Sequence, residues 1–305
     1  MSDIILHHYP QSPVAEKVRK VLGIKNLRWH SVEIPRIPPK PDLMPLTGGY
    51  RRTPVMQIGA DVYCDSQCII RELDQRFPEP GLFPNGGAGV AWGISRWTDG
   101  PMFTQAIAVV LGAAESLPAD FAADRGRLYF GPDFTIEKLQ DAVAGNAQQL
   151  RGQFDWFEQT LREGMPFLSG NQPGLIDALA HYLVWFIGGR WSQGQSFLEQ
   201  FPYLLLWRDR VEQIGHGQPA KMFSQTALGI AKEEISCLSL AQRTVESEKF
   251  KAGEVVNVVP DVDGGDPAVS GELVALNAES ISIGSCNDRV GEIVIHFPNV
   301  GYRIV

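Results

Sequence analysis

The spacing of apolar and polar residues changes twice along the chain. Ile4-Ile5-Leu6 is a short apolar run of buried-strand type. Behind Ser12-Pro13, the residues Val14, Val18, Val21 and Leu22 recur at helical spacing, and Gly23 ends that helix. Ser can cap exposed backbone N–H groups and Pro suits the first helical position. Residues 27–34 have a strand-like pattern, followed by a proline-rich loop over 35–45. Residues 53–58 and 61–64 flank Gly59-Ala60 as a hairpin, and Ser66 opens a helix that runs to Phe77 before Pro78-Glu79-Pro80-Gly81 stops it. Residues 1–80 therefore predict an α/β unit: a parallel β-α-β pair, a loop, then an antiparallel pair with a covering helix.

From 89 to 222 the pattern is helical, with segments expected over 91–111, 135–163, 175–187 and 197–214. Trp92, Trp97, Trp156, Trp185, Trp191 and Trp207 fall here and read as the core of an all-α bundle. A helical linker is expected over 223–248. After it come β-type runs over residues 254–259, 271–276, 280–283 and 292–297, separated by turns at 260–267, Asn277 and Asn287-Asp288. Residues 249–305 read as a small all-β domain, a barrel or curled sheet.

Of the 305 residues, 44% are apolar and 20% charged, which excludes a disordered or disulfide-stapled chain. The net charge of −8 does not suit nucleic acid, and the β segment, with eight acidic residues against four basic, is no exception. The greasiest stretch, 175–188, is interrupted by Asp177 and His181 and falls short of the ~20 residues a bilayer span needs. Met1-Ser2-Asp3 does not open a secretory leader, and four cysteines do not make a disulfide framework. A cytoplasmic protein with reduced thiols is the expectation. No metal is expected either. Cys64 and Cys68 lack a second pair, His7-His8 lack further ligands, and the acidic turn 261–266 lacks the spaced carboxylates of a calcium loop.

Three pieces of the first region carry candidate chemistry. Ser12 stands at the start of one helix and Asp65-Ser66 at the start of another, and helix N-termini hold anions. Between them lies Arg52-Thr53-Pro54-Val55-Met56, where proline enters a strand that it cannot bond into. A cis bond there would leave the Thr53 backbone free to pair with an extended peptide.

These pieces, in this order, resemble the glutathione transferase superfamily: a thioredoxin-like domain over 1–80 and an all-α domain over 89–222. The run from Ser12 to Arg19 is similar to the tau- and zeta-type start, in which serine faces the glutathione sulfur. Arg52, Thr53 and Pro54 resemble the segment that pairs with the cysteinyl backbone, and Asp65-Ser66 the pair that grips the γ-glutamyl head. Phe167-Leu168-Ser169-Gly170 and Leu175-Ile176-Asp177-Ala178 resemble the cap of the bundle's central helix. The resemblance covers residues 1–225 and leaves the β segment unassigned.

The resemblance implies glutathione as co-substrate and Ser12 as the hydroxyl that stabilises its thiolate, Tyr9 being a competing hydroxyl. It also implies a hydrophobic electrophile near Trp92, Trp97 and Phe103, and a homodimer. The reaction would be a transfer, elimination or dehalogenation. Serine cannot form a mixed disulfide, which argues against the glutaredoxin-like members. Gly174 departs from the family, whose helix cap has Ser or Thr there. The alternative is a non-catalytic binding or scaffold protein that uses its β module for interactions.

Overall fold

In the computed structural model, residues 3–236, 244–262 and 264–305 are described. β1 (Ile4–His8) lies parallel to β2 (Arg28–Glu33), with α1 (Pro13–Ile24) between them in sequence. All five β1 residues are buried, which is why Ile4-Ile5-Leu6 reads as an unbroken apolar run rather than an alternating pattern. After α2 (Met44–Thr47), β3 (Val55–Ile58) pairs antiparallel with β1 and with β4 (Asp61–Cys64). The turn of that hairpin needs Gly59, whose φ is +61°. α3 (Ser66–Arg76) then packs on β3 and β4. The first eighty residues thus adopt the expected thioredoxin-like order.

Contacts group the chain into two compact units. One holds Met1–Ala15, Arg28–Arg76 and Gln218–Val305; the other holds Glu16–Leu27 and Phe77–Gly217.

In the helical unit, α4 (Ala88–Trp97) and α5 (Phe103–Gly112) replace the single helix expected over 91–111. The break is a wide turn at Thr98–Met102, where Gly100 leaves helical geometry and Pro101 offers no N–H. α6 (Ala119–Phe130) was not legible in the pattern; α7 (Ile136–Arg162) and α8 (Leu175–Arg190) were. The last expected segment divides into α9 (Gly194–Leu198) and α10 (Pro202–Gln213), with Pro202 opening the second helix. Tyr182 and Trp207 are fully buried, while Trp156 stands 56% exposed. Phe103 packs among Tyr129, Tyr182 and Phe186 as core.

The sheet unit continues through the chain's last third. Gln218–Lys221, read in the sequence as part of the helical region, forms β5 and pairs parallel with β2. The expected helical linker is helical over α11 (Ser224–Glu233), and 237–243 lie outside the described residues. A short β6 (Thr244–Val245) precedes β7 (Val255–Pro260), β8 (Val269–Leu276), β9 (Ser280–Asn287), β10 (Gly291–Pro298) and β11 (Tyr302–Ile304). These last five strands run in the spatial order β11-β7-β8-β9-β10.

Flat, such a row would hold its outer strands about 19 Å apart at about 4.8 Å per spacing. Yet only Asn299, Val300 and Gly301 link β10 to β11, a reach of about 14 Å. The row must curl, as expected. It does not stand apart, however: β10 lies parallel on β4, with Ile295 opposite Val62, so the sheet is continuous from β11 to β5. Val55, Val62 and Cys64 share one core with Leu273, Ile283, Ile295 and Phe297. The sequence shows that β4 is a strand but not that its free edge has a partner.

Candidate functional site

Ser12 ends a tight turn, its N–H donating to the Tyr9 carbonyl at 3.1 Å, and its Oγ accepts the Ala15 N–H at 3.2 Å. It is therefore the cap of α1, as Ser before Pro predicts. That bond uses an oxygen lone pair and leaves the hydroxyl hydrogen to be donated elsewhere. Tyr9, the competing hydroxyl, lies in the core of the sheet unit.

The Thr53–Pro54 peptide is cis. The ladders of β3 begin one residue later, with Val55 opposite both His7 and Cys64, so the Thr53 backbone lies beyond the paired strand. Buried Lys40 holds this corner, donating to the Arg51 carbonyl at 2.8 Å and to Thr53 Oγ1 at 2.9 Å. Sequence reasoning missed Lys40, because a lysine among prolines reads as a solvated loop residue.

Asp65 adopts φ +76°, a left-handed conformation in which a short polar side chain is tolerated because it bonds locally. Its Oδ1 accepts the Gln67 N–H at 2.9 Å, capping α3, whose first residue, Ser66, is buried. Its Oδ2 accepts from the Tyr302 hydroxyl at 3.1 Å, and Tyr302 in turn meets the Tyr50 hydroxyl at 3.1 Å. Burial, with the Asp65 charge nearby, pushes both phenols well above their ordinary pKa, so they remain neutral donors.

Arg52 donates through Nε and Nη2 to Asp266 Oδ2, at 3.1 and 2.5 Å. Arg51 Nε stands 3.6 Å from Asp266 Oδ1. Burial alone would lower the Arg52 pKa; the bond to Asp266 outweighs it and raises that pKa further. Arg52 and Asp65 are thus joined to residues near the far end of the chain. Ser12 and Ser66, among the described residues, make no side-chain bond to this cluster. The acidic turn around Asp266 is the second feature missed, since nothing in its sequence says where it folds back.

Other groups carry less. Burial pushes the Cys64 and Cys68 thiols well above their usual pKa, which leaves them poor nucleophiles. Ser282, His296 and Asp61 form a hydrogen-bonded row at 2.9 Å per step, but Ser282 is 1% exposed and the row is a polar seam between β9, β10 and β4. Among the described residues no group of three or more His, Cys, Asp or Glu could hold a metal ion, and no helix is long and apolar enough to cross a membrane.

Comparison with known proteins places the fold in a family. Residues 6–81 match the family described as glutathione S-transferase, N-terminal domain. The crystal structure of a GST-like protein from Pseudomonas syringae is 33% identical, with a TM-score of 0.80 over 100% of this chain and 99% of that one. The tau class glutathione S-transferase of mango, Mangifera indica, is 16% identical, with a TM-score of 0.52 over 70% of this chain and 92% of that one. FzlA from C. crescentus is 18% identical, with a TM-score of 0.50 over 69% of this chain and 88% of that one. These two share the fold alone. No match is found among curated proteins. A thioredoxin-like sheet followed by a helical bundle defines the two-part fold of the glutathione transferases. The chain belongs to the glutathione S-transferase-like family, and its relative in P. syringae matches it along its whole length.

Proposed function

We propose that the chain binds glutathione along the cis Thr53–Pro54 corner and uses Ser12 to stabilise the thiolate for attack on a hydrophobic electrophile. The observation that carries this reading is the Thr53 backbone lying outside the β3 ladder, in the same unit as the α1 and α3 N-termini. The tripeptide would pair with Thr53 as an added strand, its γ-glutamyl head at Asp65-Ser66 and its remaining carboxyl toward Arg52. The thiol proton leaves to solvent. The Ser12 hydroxyl, without ionising, donates to the sulfur as charge develops there, and α1 adds its positive end. Sulfur then bonds to the electrophilic carbon as the leaving group departs with its electron pair. A homodimer acting in the cytoplasm belongs to the same proposal.

The test is titration calorimetry with millimolar glutathione, followed by conjugation of 1-chloro-2,4-dinitrobenzene. Binding heat with wild type, and a raised thiol pKa in Ser12→Ala, support the reading; absence of any heat overturns it. A second reading is a binding or scaffold protein of transferase fold. It is favoured by Arg52 and Asp65 already being engaged by Asp266 and Tyr302. Heat with glutathione but no turnover of any electrophile would select it.

A further inference from the structure

A cavity of about 330 Å³ lies between α5 and α7, lined by Gln105 from the first and by Gln148, Gln149, Gly152, Gln153 and Trp156 from the second. No charged side chain lines it. One wall is an ordered row. Trp97 Nε1 donates to Gln153 Oε1 at 2.9 Å, and Gln153, only 8% exposed, donates through Nε2 to Gln105 Oε1 at 2.5 Å and to the Gln149 carbonyl at 3.1 Å. Every step from Trp97 to Gln153 to Gln105 donates in the same direction, so the amides polarise one another. The Gln105 oxygen is taken, which leaves its N–H₂ as the open donor end of the row, bonded to no described residue. Gln105 itself is half-buried, so that end is within reach of a ligand. Trp156 supplies a different surface: its indole is half in solvent and braced against Trp97, with 5.5 Å between ring centroids.

A ligand that fits must offer an oxygen to Gln105, groups that both give and take hydrogen bonds to the amides of Gln148 and Gln149, and one apolar face to Trp156. It must be neutral, because a charged group would lose water here and find no counter-ion. A purely hydrophobic compound fails too, since it would cover free amides without pairing them. A sugar ring meets every condition: its hydroxyls donate and accept around the rim, and its C–H face lies flat on an indole. A planar heterocycle fits less well, because Trp156 is the one aromatic ring in the lining and covers a single face.

We propose that this cavity binds a neutral saccharide, with Trp156 as the stacking platform and Gln105 as the donor to a sugar oxygen. All of its residues belong to the helical unit, and the proposal does not rest on the glutathione reading.

The experiment is saturation-transfer NMR and titration calorimetry on the full chain with four probes: methyl β-D-glucopyranoside, methyl β-D-galactopyranoside, D-glucuronate and uridine. At least one glycoside is expected to bind with a Kd of roughly millimolar, the scale of a small neutral ligand held by a few contacts. Saturation should pass most strongly to the protons of one ring face. Gln105→Glu keeps an acceptor for Gln153 while removing the open donor, and should weaken binding roughly tenfold. Trp156→Ala should weaken it at least as much, and Trp156→Phe should restore part of the loss. No transfer to either glycoside overturns the proposal, as does undiminished binding in Gln105→Glu or in Trp156→Ala. Tighter binding of glucuronate or uridine than of the glycosides overturns the saccharide assignment. A wild-type dimer that sediments as a monomer in Trp156→Ala overturns it as well, because the indole is then a contact between copies of the chain.

Discussion

The Tyr302 hydroxyl donates to Asp65 Oδ2 at 3.1 Å, linking the final strand to the turn that opens α3. Asp65 is thereby held from both sides, by Tyr302 on one oxygen and by the Gln67 N–H on the other. Tyr302→Phe keeps the ring against Tyr50 and Phe297 but removes the donor. It is expected to cost roughly 1.5–3 kcal/mol, the range for a hydrogen bond to a charged partner. Urea denaturation followed by far-UV dichroism reads this directly; an unmoved midpoint would show that the bond contributes nothing.

Gly174 stands where the family places a hydroxyl cap, and the structure supplies a reason. A Cβ there would lie 2.6 Å from the Leu82 carbonyl oxygen and 2.7 Å from Ser169 Oγ. The capping is done instead by Asp177, which accepts from the backbone N–H groups of Leu168, Ser169 and Gly174 and from Trp207 Nε1. Gly174→Ser, although it restores the usual cap, should therefore destabilise the protein by about 1–3 kcal/mol, as overpacking does. A rise in thermal midpoint would contradict this account.

Acid should unfold the protein in a definite order. Burial lowers the His7 pKa to about 4, and burial with Lys20 nearby lowers that of His181 to about 3. Burial alone would raise the Glu16 pKa, but the hydrogen bond from His216 and the charge of Arg19 hold it at about 2. Each group binds its proton more weakly folded than unfolded, so each contributes stability at neutral pH that disappears as pH falls. The histidine contributions drain from about pH 6.5 downward and the Glu16 contribution from about pH 4.5 to 2. His7 alone costs about 3 kcal/mol by pH 4, at about 1.4 kcal/mol per pH unit. Thermal midpoints between pH 7 and 4 should decline, and the slope should be shallower in His7→Gln. A flat profile would remove His7 from the argument.

Cys286 is exposed, whereas Cys64 and Cys68 are buried with raised pKa values. Brief treatment of the native protein with iodoacetamide, read by peptide mass mapping, should modify Cys286 and spare the other two. Equal labelling of Cys64 would mean that the sheet opens readily at β4.

Local signals made most of the fold legible. Ser12-Pro13, the Gly59-Ala60 turn and the alternation in 280–283 each specify their own element, because capping, turn chemistry and side-chain period act within a few residues. The local geometry of the candidate site was legible too: the Ser12 cap, the Thr53-Pro54 strand entry and the Asp65-Ser66 helix start each depend on neighbouring residues. What the sequence withheld is long-range pairing. Lys40 on Thr53, Asp266 on Arg52 and Tyr302 on Asp65 are choices of partner made by the completed sheet. The pairing of β10 with β4 is of the same kind, since an edge strand advertises unfilled backbone groups without naming what fills them.

That last pairing bears on how the chain could be shortened. With β10 along β4 and β5 along β2, neither flank of the four inner strands is left bare. Trimming the polypeptide ahead of Thr244 would unzip one of those flanks and lay open the oily side chains beneath it, Val62 among them. The outcome to expect is sticky, self-associating material rather than a pared-down version of the protein.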